Sequence, residues 1–248
     1  MTTPTASAQV RLSARQRLMA LAASVEATPA DASTDLPYTY LHTQSWARAT
    51  NVIARIDLQR WRRDTDDSGR EVTRRLPDVP GLAYRPTSRE RDQFTAARAT
   101  DTPYLRGDLR PYLADPFPTE PTALAGMLAP RQMAGEPAYP RMLVHGIIGL
   151  ATNQYLNQTQ RAATLRVLAD VPNITYQGEQ ADLAGRIGIS LTVIAGGSTT
   201  QLVVHPHTGE ILAAHEQVSG AKPGLFSYVL ILERGHTAND TATPPTRP

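Results

Sequence analysis

The sequence predicts an α+β domain in which a mainly antiparallel sheet packs on about four helices. Three observations carry this expectation. Aromatic and apolar strand-like segments lie near the start and fill the end of the chain, helix-period segments lie between them, and no regular strand–helix–strand alternation occurs. At 248 residues the chain is long enough to bury a sizeable core. Residues 11–235 read as one domain. The stretches 1–10 and 236–248 are small, polar and Pro-containing, and read as disordered tails.

The first helix spans 13–26, where Ala14, Leu18, Leu21 and Val25 form one stripe. Its apolar run follows Arg11, Arg15 and Arg17 and has the outline of a signal peptide, but the stripe and Glu26 favour an amphipathic helix. Aromatic strands follow across 38–63. Ile53, Arg55, Asp57, Gln59 and Trp61 share one face, and Val52, Ile56 and Leu58 require a bulge or burial on both faces. TDDSG at 65–69 then turns the chain into REVTRRL, making a hairpin.

Residues 77–118 are rich in Pro, Arg and Asp, with a short helix expected in RERDQFTAARA and a mobile or ligand-facing loop around it. Thr119 is the expected cap of the next helix, with Pro121 where a first turn tolerates it. YPRMLVHGIIGLATNQY and NQTQRAATLRVLAD supply two more helices, the latter capped by Asn157 or Thr159. A meander then runs through 174–177, 186–195, 199–205, 210–218 and 226–234. The corner LADVPNITYQGEQADLAGRIGISL at 168–191 joins the last helix to this meander. Its glycines do not form a phosphate loop, because there the strand precedes the helix.

Charge is nearly balanced, with 25 Lys and Arg against 23 Asp and Glu, and Lys222 is the sole lysine. The basic run RWRR, with Arg70, Arg74, Arg75 and Trp61, is diluted by Asp57, Asp64, Asp66, Asp67 and Glu71, so nucleic acid is not an expected partner. The sequence has no cysteine, which excludes thiol catalysis, disulfides and Cys-ligated zinc. No apolar run reaches the ~20 residues of a membrane helix.

Local motifs do not identify a reaction. Asp64 to Gly69 resembles the start of a calcium loop, but Arg75 stands where the bidentate Glu is needed, so a polar turn is preferred. His205, His207 and His215 are the only histidines close in sequence and give a metal-dependent enzyme its sole candidate group; a plain turn is the stronger reading. No Gly-x-Ser-x-Gly occurs. Glu179 and Asp182 sit in a polar corner, and the sequons at Asn157 and Asn173 read as cap and strand residues.

Several separated motifs nevertheless occur in a familiar order. Thr119 and Pro121 precede a helix; Leu168 and Pro172 end one; Asp182, Gly185, Arg186 and Gly188 enter a strand; and Pro206, Thr208 and Gly209 form a turn. This pattern, across roughly 11–235, resembles an uncharacterised actinobacterial family with a short cytoplasmic segment, one membrane helix and an extracytoplasmic domain. Departures are Asn173 for Gly, Ile174 and Ile189 for Val, and His205 for Asp. That family looks related to the LolA and RseB type of fold. The resemblance implies a curved half-barrel around a greasy cavity and an extracytoplasmic or membrane-associated location.

The expected function is a non-enzymatic binding or sensor domain. Tyr40, Trp46, Ile53, Trp61, Ile187, Ile189, Val203 and Leu230 are the candidate walls of an apolar cavity, with a lipid or lipopeptide as partner and no cofactor. The alternative is the protein-interaction module of an anti-sigma-type system, with a membrane-protein or sigma-regulatory partner. A His-based metal-dependent enzyme ranks third.

Overall fold

A computed structural model describes residues 12–31 and 35–244. The expected tail at 1–10 lies outside the described residues. The first helix, α1 (Ala14–Ala27), starts at a reciprocal cap: Gln16 N–H donates to Ser13 Oγ and Ser13 N–H to Gln16 Oε1. Three strands follow, β1 (Tyr38–Ala49), β2 (Val52–Arg63) and β3 (Gly69–Pro80), and the expected bulge lies between Ile53 and Arg55. The Pro- and Arg-rich quarter holds α2 (Arg89–Ala96) and a strand not foreseen, β4 (Ala99–Tyr104).

The helical block comprises α3 (Pro121–Leu128), α4 (Tyr139–Asn153) and α5 (Gln158–Ala169). Glu120, not Thr119, caps α3: its two carboxylate oxygens accept from the N–H groups of Thr122 and Ala123, one each. Asn157 caps α5 through a second reciprocal box with Gln160. The meander is β5 (Thr175–Ala181), β6 (Ile187–Ala195), β7 (Ser198–Val204), β8 (Ile211–Val218) and β9 (Gly224–Thr237).

Among the described residues, nine strands form one antiparallel sheet in the order β4-β3-β2-β1-β9-β8-β7-β6-β5, and the sheet is not closed. Two meanders therefore meet at a single long-range seam between β1 and β9, with a register shift between His42 and Thr43. The architecture is α+β, with five α-helices among the described residues.

Cross-strand register assigns the two faces. One buries Leu191, Val193, Leu202, Val204, Ile211 and Ile231 against α1, α3, α4 and α5. The other carries Trp46, Ile53, Leu76, Val203 and Leu230, and α2 covers it with Phe94. Phe94 and Tyr228 meet Trp46 edge-on at 5.7 and 5.6 Å. A buried ion pair, Arg55 Nη1 to Glu90 Oε1 at 2.6 Å, fastens α2 to β2.

The corner at 168–191 is held by polar contacts. Asn173 sits at φ 59°, a left-handed conformation that asparagine tolerates. Asp182 accepts from the N–H groups of Ala184 and Arg186, and the Arg186 guanidinium returns to Asp182 while also reaching the carbonyls of Leu232 and Leu212. Arg186 thus ties the β5–β6 turn to β9 and β8. The turn before β8 seats on the helices in the same manner, with Arg161 Nε donating to Thr208 O at 2.9 Å.

The expected tail from 236 is described as far as residue 244. Strand β9 continues to Thr237, and the chain then folds back over a small aromatic cluster of Tyr40, Trp61 and Val72. Trp61 Nε1 donates to Ala242 O at 2.6 Å, and Arg70 Nη1 to Asp240 O at 3.0 Å. Buried partners order a segment that its composition marks as unable to order itself.

Two outcomes follow. Gly209 sits at φ 68°, and a Cβ there would lie 2.6 Å from Leu165 Cδ1. Gly209→Ala is expected to cost about 2 kcal/mol, read as a lower urea midpoint at unchanged m-value. Truncation after Thr237 is expected to uncover Trp61, seen as red-shifted fluorescence and stronger iodide quenching while Trp46 stays protected.

Candidate functional site

The eight residues expected to wall one apolar cavity are distributed over separate environments. Trp46, Ile53, Val203 and Leu230 are buried in the cluster under α2. Tyr40 and Trp61 belong to the cluster covered by the C-terminal segment. Ile189 packs on the helix-side core, and Ile187 is 62% exposed. Strand alternation accounts for this: Ile189 faces away from Val203 because Val203 pairs with Ser190. Side chains of the protein itself fill the apolar surface on the α2 face.

The open spaces with convergent groups carry polar side chains in their linings, and two of them lie on opposite faces of the sheet. On the helix-bearing face, a cleft of about 730 Å³ lies among the β2–β3 turn, the 110–116 segment and the α4–α5 connection. Arg62 spans two carboxylates, Nη1 to Asp67 at 2.9 Å and Nη2 to Asp64 at 3.1 Å. Thr39 Oγ1 donates to Asp64, whose other oxygen lies 3.6 Å from His236 Nε2. The His236 and Tyr155 rings meet edge-on at 4.5 Å, and Tyr155 OH donates to Asp31, itself held by Arg161. Asp115 accepts one amide from Gln154 and one from Gln160, each at 3.0 Å. Arg110 is the exposed cation at the rim.

On the α2 face, a pocket of about 250 Å³ has a floor of His42, Gln44, Asp57, Gln59 and Arg74, a roof of Arg91, Asp92 and Thr95, and Leu232 at its side. Register makes this floor: Gln44 stands opposite Asp57 and His42 opposite Gln59, all pointing one way. Asp57 is buried and accepts from His42 Nε2 at 2.8 Å and Gln44 Nε2 at 2.9 Å, with Arg74 Nη1 at 3.5 Å. Burial pushes its carboxyl up, but the contacts with His42, Gln44 and Arg74 outweigh burial and leave it below the usual carboxylate range. On the same face, burial lifts the Tyr40 phenol well above its ordinary value, and Gln59 Nε2 donates to its oxygen.

A third histidine–carboxylate contact fastens α4. Glu216 of β8 is buried and accepts from Arg141 Nε and His145 Nε2, each at 2.7 Å. Burial raises its carboxyl, and these two partners more than offset the effect, leaving it lowered. Phe226 stacks on the His145 ring and lies under Arg141.

The motifs singled out from sequence serve the fold. Asp66 accepts from Ser68 N–H and Oγ inside the β2–β3 turn, and Arg62 takes up Asp64 and Asp67. His205 Nδ1 accepts from the N–H groups of His207 and Thr208, while His215 lies beside Tyr228 on β8. The three imidazoles therefore do not converge. The arginines of the first hairpin are consumed by partners: Arg60 by Glu71, Arg70 by Asp101 and Arg75 by Asp78. Asn157 is the cap already described.

The contacts between His42 and Asp57, and between His236 and Asp64, were missed because each joins residues that are apart in sequence and meet only when the sheet is paired. One signal was available for the first. His42 and Gln44 interrupt a strand face otherwise set by Tyr38, Tyr40 and Trp46, and they fall opposite Asp57 once the hairpin is paired.

No family model and no curated protein matches this chain. The fold is therefore defined by its own topology, and the site by its own geometry.

Asp57 supplies a pH test. Its lowered carboxyl contributes stability that is present above the unfolded-state carboxylate range and lost as pH falls through the folded value. Asp57→Asn keeps the shape but leaves the Arg74 guanidinium facing a neutral amide. A loss of about 2–3 kcal/mol at pH 7 is expected. The gap from wild type should narrow below about pH 4 in urea titrations across pH.

Proposed function

We propose that this chain is a non-enzymatic binding domain for a small, neutral, polar ligand, held in the cleft beside the β2–β3 turn. One observation carries the proposal: the apolar surface is filled by the protein itself, whereas the cleft of about 730 Å³ is lined by pre-positioned polar groups of both signs. That volume suits a small organic ligand. Arg62 and Arg110 face Asp64, Asp67 and Asp115, so the lining is near charge balance and offers no strong net field to a charged ligand. Hydroxyl groups both donate and accept, and they match an alternation of carboxylate, guanidinium and amide. The Tyr155–His236 ring pair, packed edge-on, supplies an aromatic corner of the wall. A polyhydroxylated ligand fits this chemistry best, and the lipid reading loses its support from an open apolar cavity.

A protein partner is the second reading, favoured by the filled apolar face and by two exposed edge strands, β4 and β5. An uncovered strand edge offers unpaired main-chain groups to a partner strand.

A thermal-shift and calorimetry panel of glucose, mannose, arabinose, trehalose, inositol and glycerol tests the first reading. At least one is expected to stabilise the protein by about 1.4 kcal/mol at ten times its Kd, with weaker binding by Arg110→Ala. Absence of any response at millimolar concentration would overturn the polyol reading.

A further inference from the structure

The small pocket on the α2 face has unspent hydrogen-bonding capacity that the cleft reading does not use. Gln44 is only 4% exposed, its Nε2 donates to Asp57, and its Oε1 has no partner. The Asp57 carboxylate fixes the orientation of this amide, because only the NH2 end can face an ionised acceptor. The orphan atom is therefore an acceptor. Across the pocket, Arg91 Nε on α2 is buried and also has no partner, and it is a donor. His42 Nε2 is committed to Asp57 on the same floor.

A buried donor or acceptor left unmade costs free energy. Here an acceptor on the floor and a guanidinium donor on the roof enclose one cavity of about 250 Å³, below the size of a drug site. The register shift at His42 and Thr43 skips Leu232, which closes one side of the pocket.

We propose that this pocket is a second binding site, taking a small α-amino acid zwitterion. Its carboxylate meets the Arg91 and Arg74 guanidiniums, and its ammonium donates to Gln44 Oε1 and lies near the carboxylate of Asp57. Two guanidiniums balanced by Asp57 and the rim residue Asp92 favour a ligand that carries both charges over one that carries a single charge. The small volume restricts it to short side chains. The site lies on the opposite face from the cleft and shares no residue with it.

The test is NMR titration of the full chain with glycine, alanine and serine, following the side-chain signals of Gln44 and His42. Acetate and methylamine serve as half-ligands. Saturable shifts are expected with at least one amino acid, and each half-ligand is expected to bind at least about tenfold more weakly. Arg91→Leu removes the orphan donor from a residue whose Nε supports no contact in the fold. It is expected to weaken amino-acid binding by at least about tenfold while Tm holds. The proposal is overturned if none of the three shifts Gln44 or His42, if Arg91→Leu binds as wild type does, or if ordered water alone satisfies both orphan atoms with amino acids present. Arg110→Ala, which probes the cleft, is expected to leave these shifts unchanged, so the two sites succeed or fail separately.

Discussion

The pairing of β1 with β9 is the constraint on which the rest of the structure depends. The first meander and the last are built from local hairpins, and each could form its turns without the other. Only the β1–β9 seam makes them one sheet, and it joins residues such as Tyr40 and Gly235 that are remote in sequence. Closing so long a loop carries an entropic cost that local hairpins avoid. The cost is offset by what lies on the two sides of the seam. Ile231 enters the helix-side core, and Leu230 and Tyr228 meet Trp46 beneath α2. Both polar cavities also straddle this seam, the cleft through Thr39 and His236 and the pocket through His42 and Leu232.

Arginine is used as an internal fastener. Arg55 holds α2, Arg141 holds α4, Arg161 seats the turn before β8 on α5, and Arg186 ties the β5–β6 turn to β8 and β9. A planar fork can serve a carboxylate and a carbonyl at once, as Arg186 does, which a lysine ammonium does less well. This explains why an arginine-rich chain presents little free basic surface: its guanidiniums are largely spent on structure.

Much of the fold was legible because its signals are local. The stripe of Leu18, Leu21 and Val25, the Asn157 cap, the bulge near Ile53 and the five-strand meander all follow from short-range periodicity and turn chemistry. What failed depends on tertiary context. Strand β4 has the sequence ATDTPY, with poor intrinsic propensity, and exists because β3 offers it an edge. The segment after Thr237 is ordered by Trp61 and Arg70, far away in sequence. The eight expected cavity residues fall in separate clusters because hydrophobicity marks a residue as buried without saying which side chains cover it. Trp46 has Phe94 and Tyr228 on it, and the partner on α2 comes from the quarter whose pattern was weakest.

Stability alone does not account for the polar floor beneath α2. Burying Asp57 with His42 and Arg74 removes charges from water, and such groups are often matched or bettered by apolar side chains of similar volume. The neighbouring positions show that this face accepts apolar residues: Trp46, Ile53 and Leu230 lie beside the floor and are fully buried. Holding an ionised carboxylate there fixes the Gln44 amide and the His42 ring in single orientations, with Gln44 Oε1 turned to no protein partner. A scaffold gains little from such pre-orientation, because its own groups already satisfy Asp57. A binding site gains by it, since atoms held in place before the ligand arrives lose little entropy when it binds. The filled aromatic cluster and the unfilled polar floor thus divide one sheet face: the first holds α2 down, and the second keeps space open beneath it.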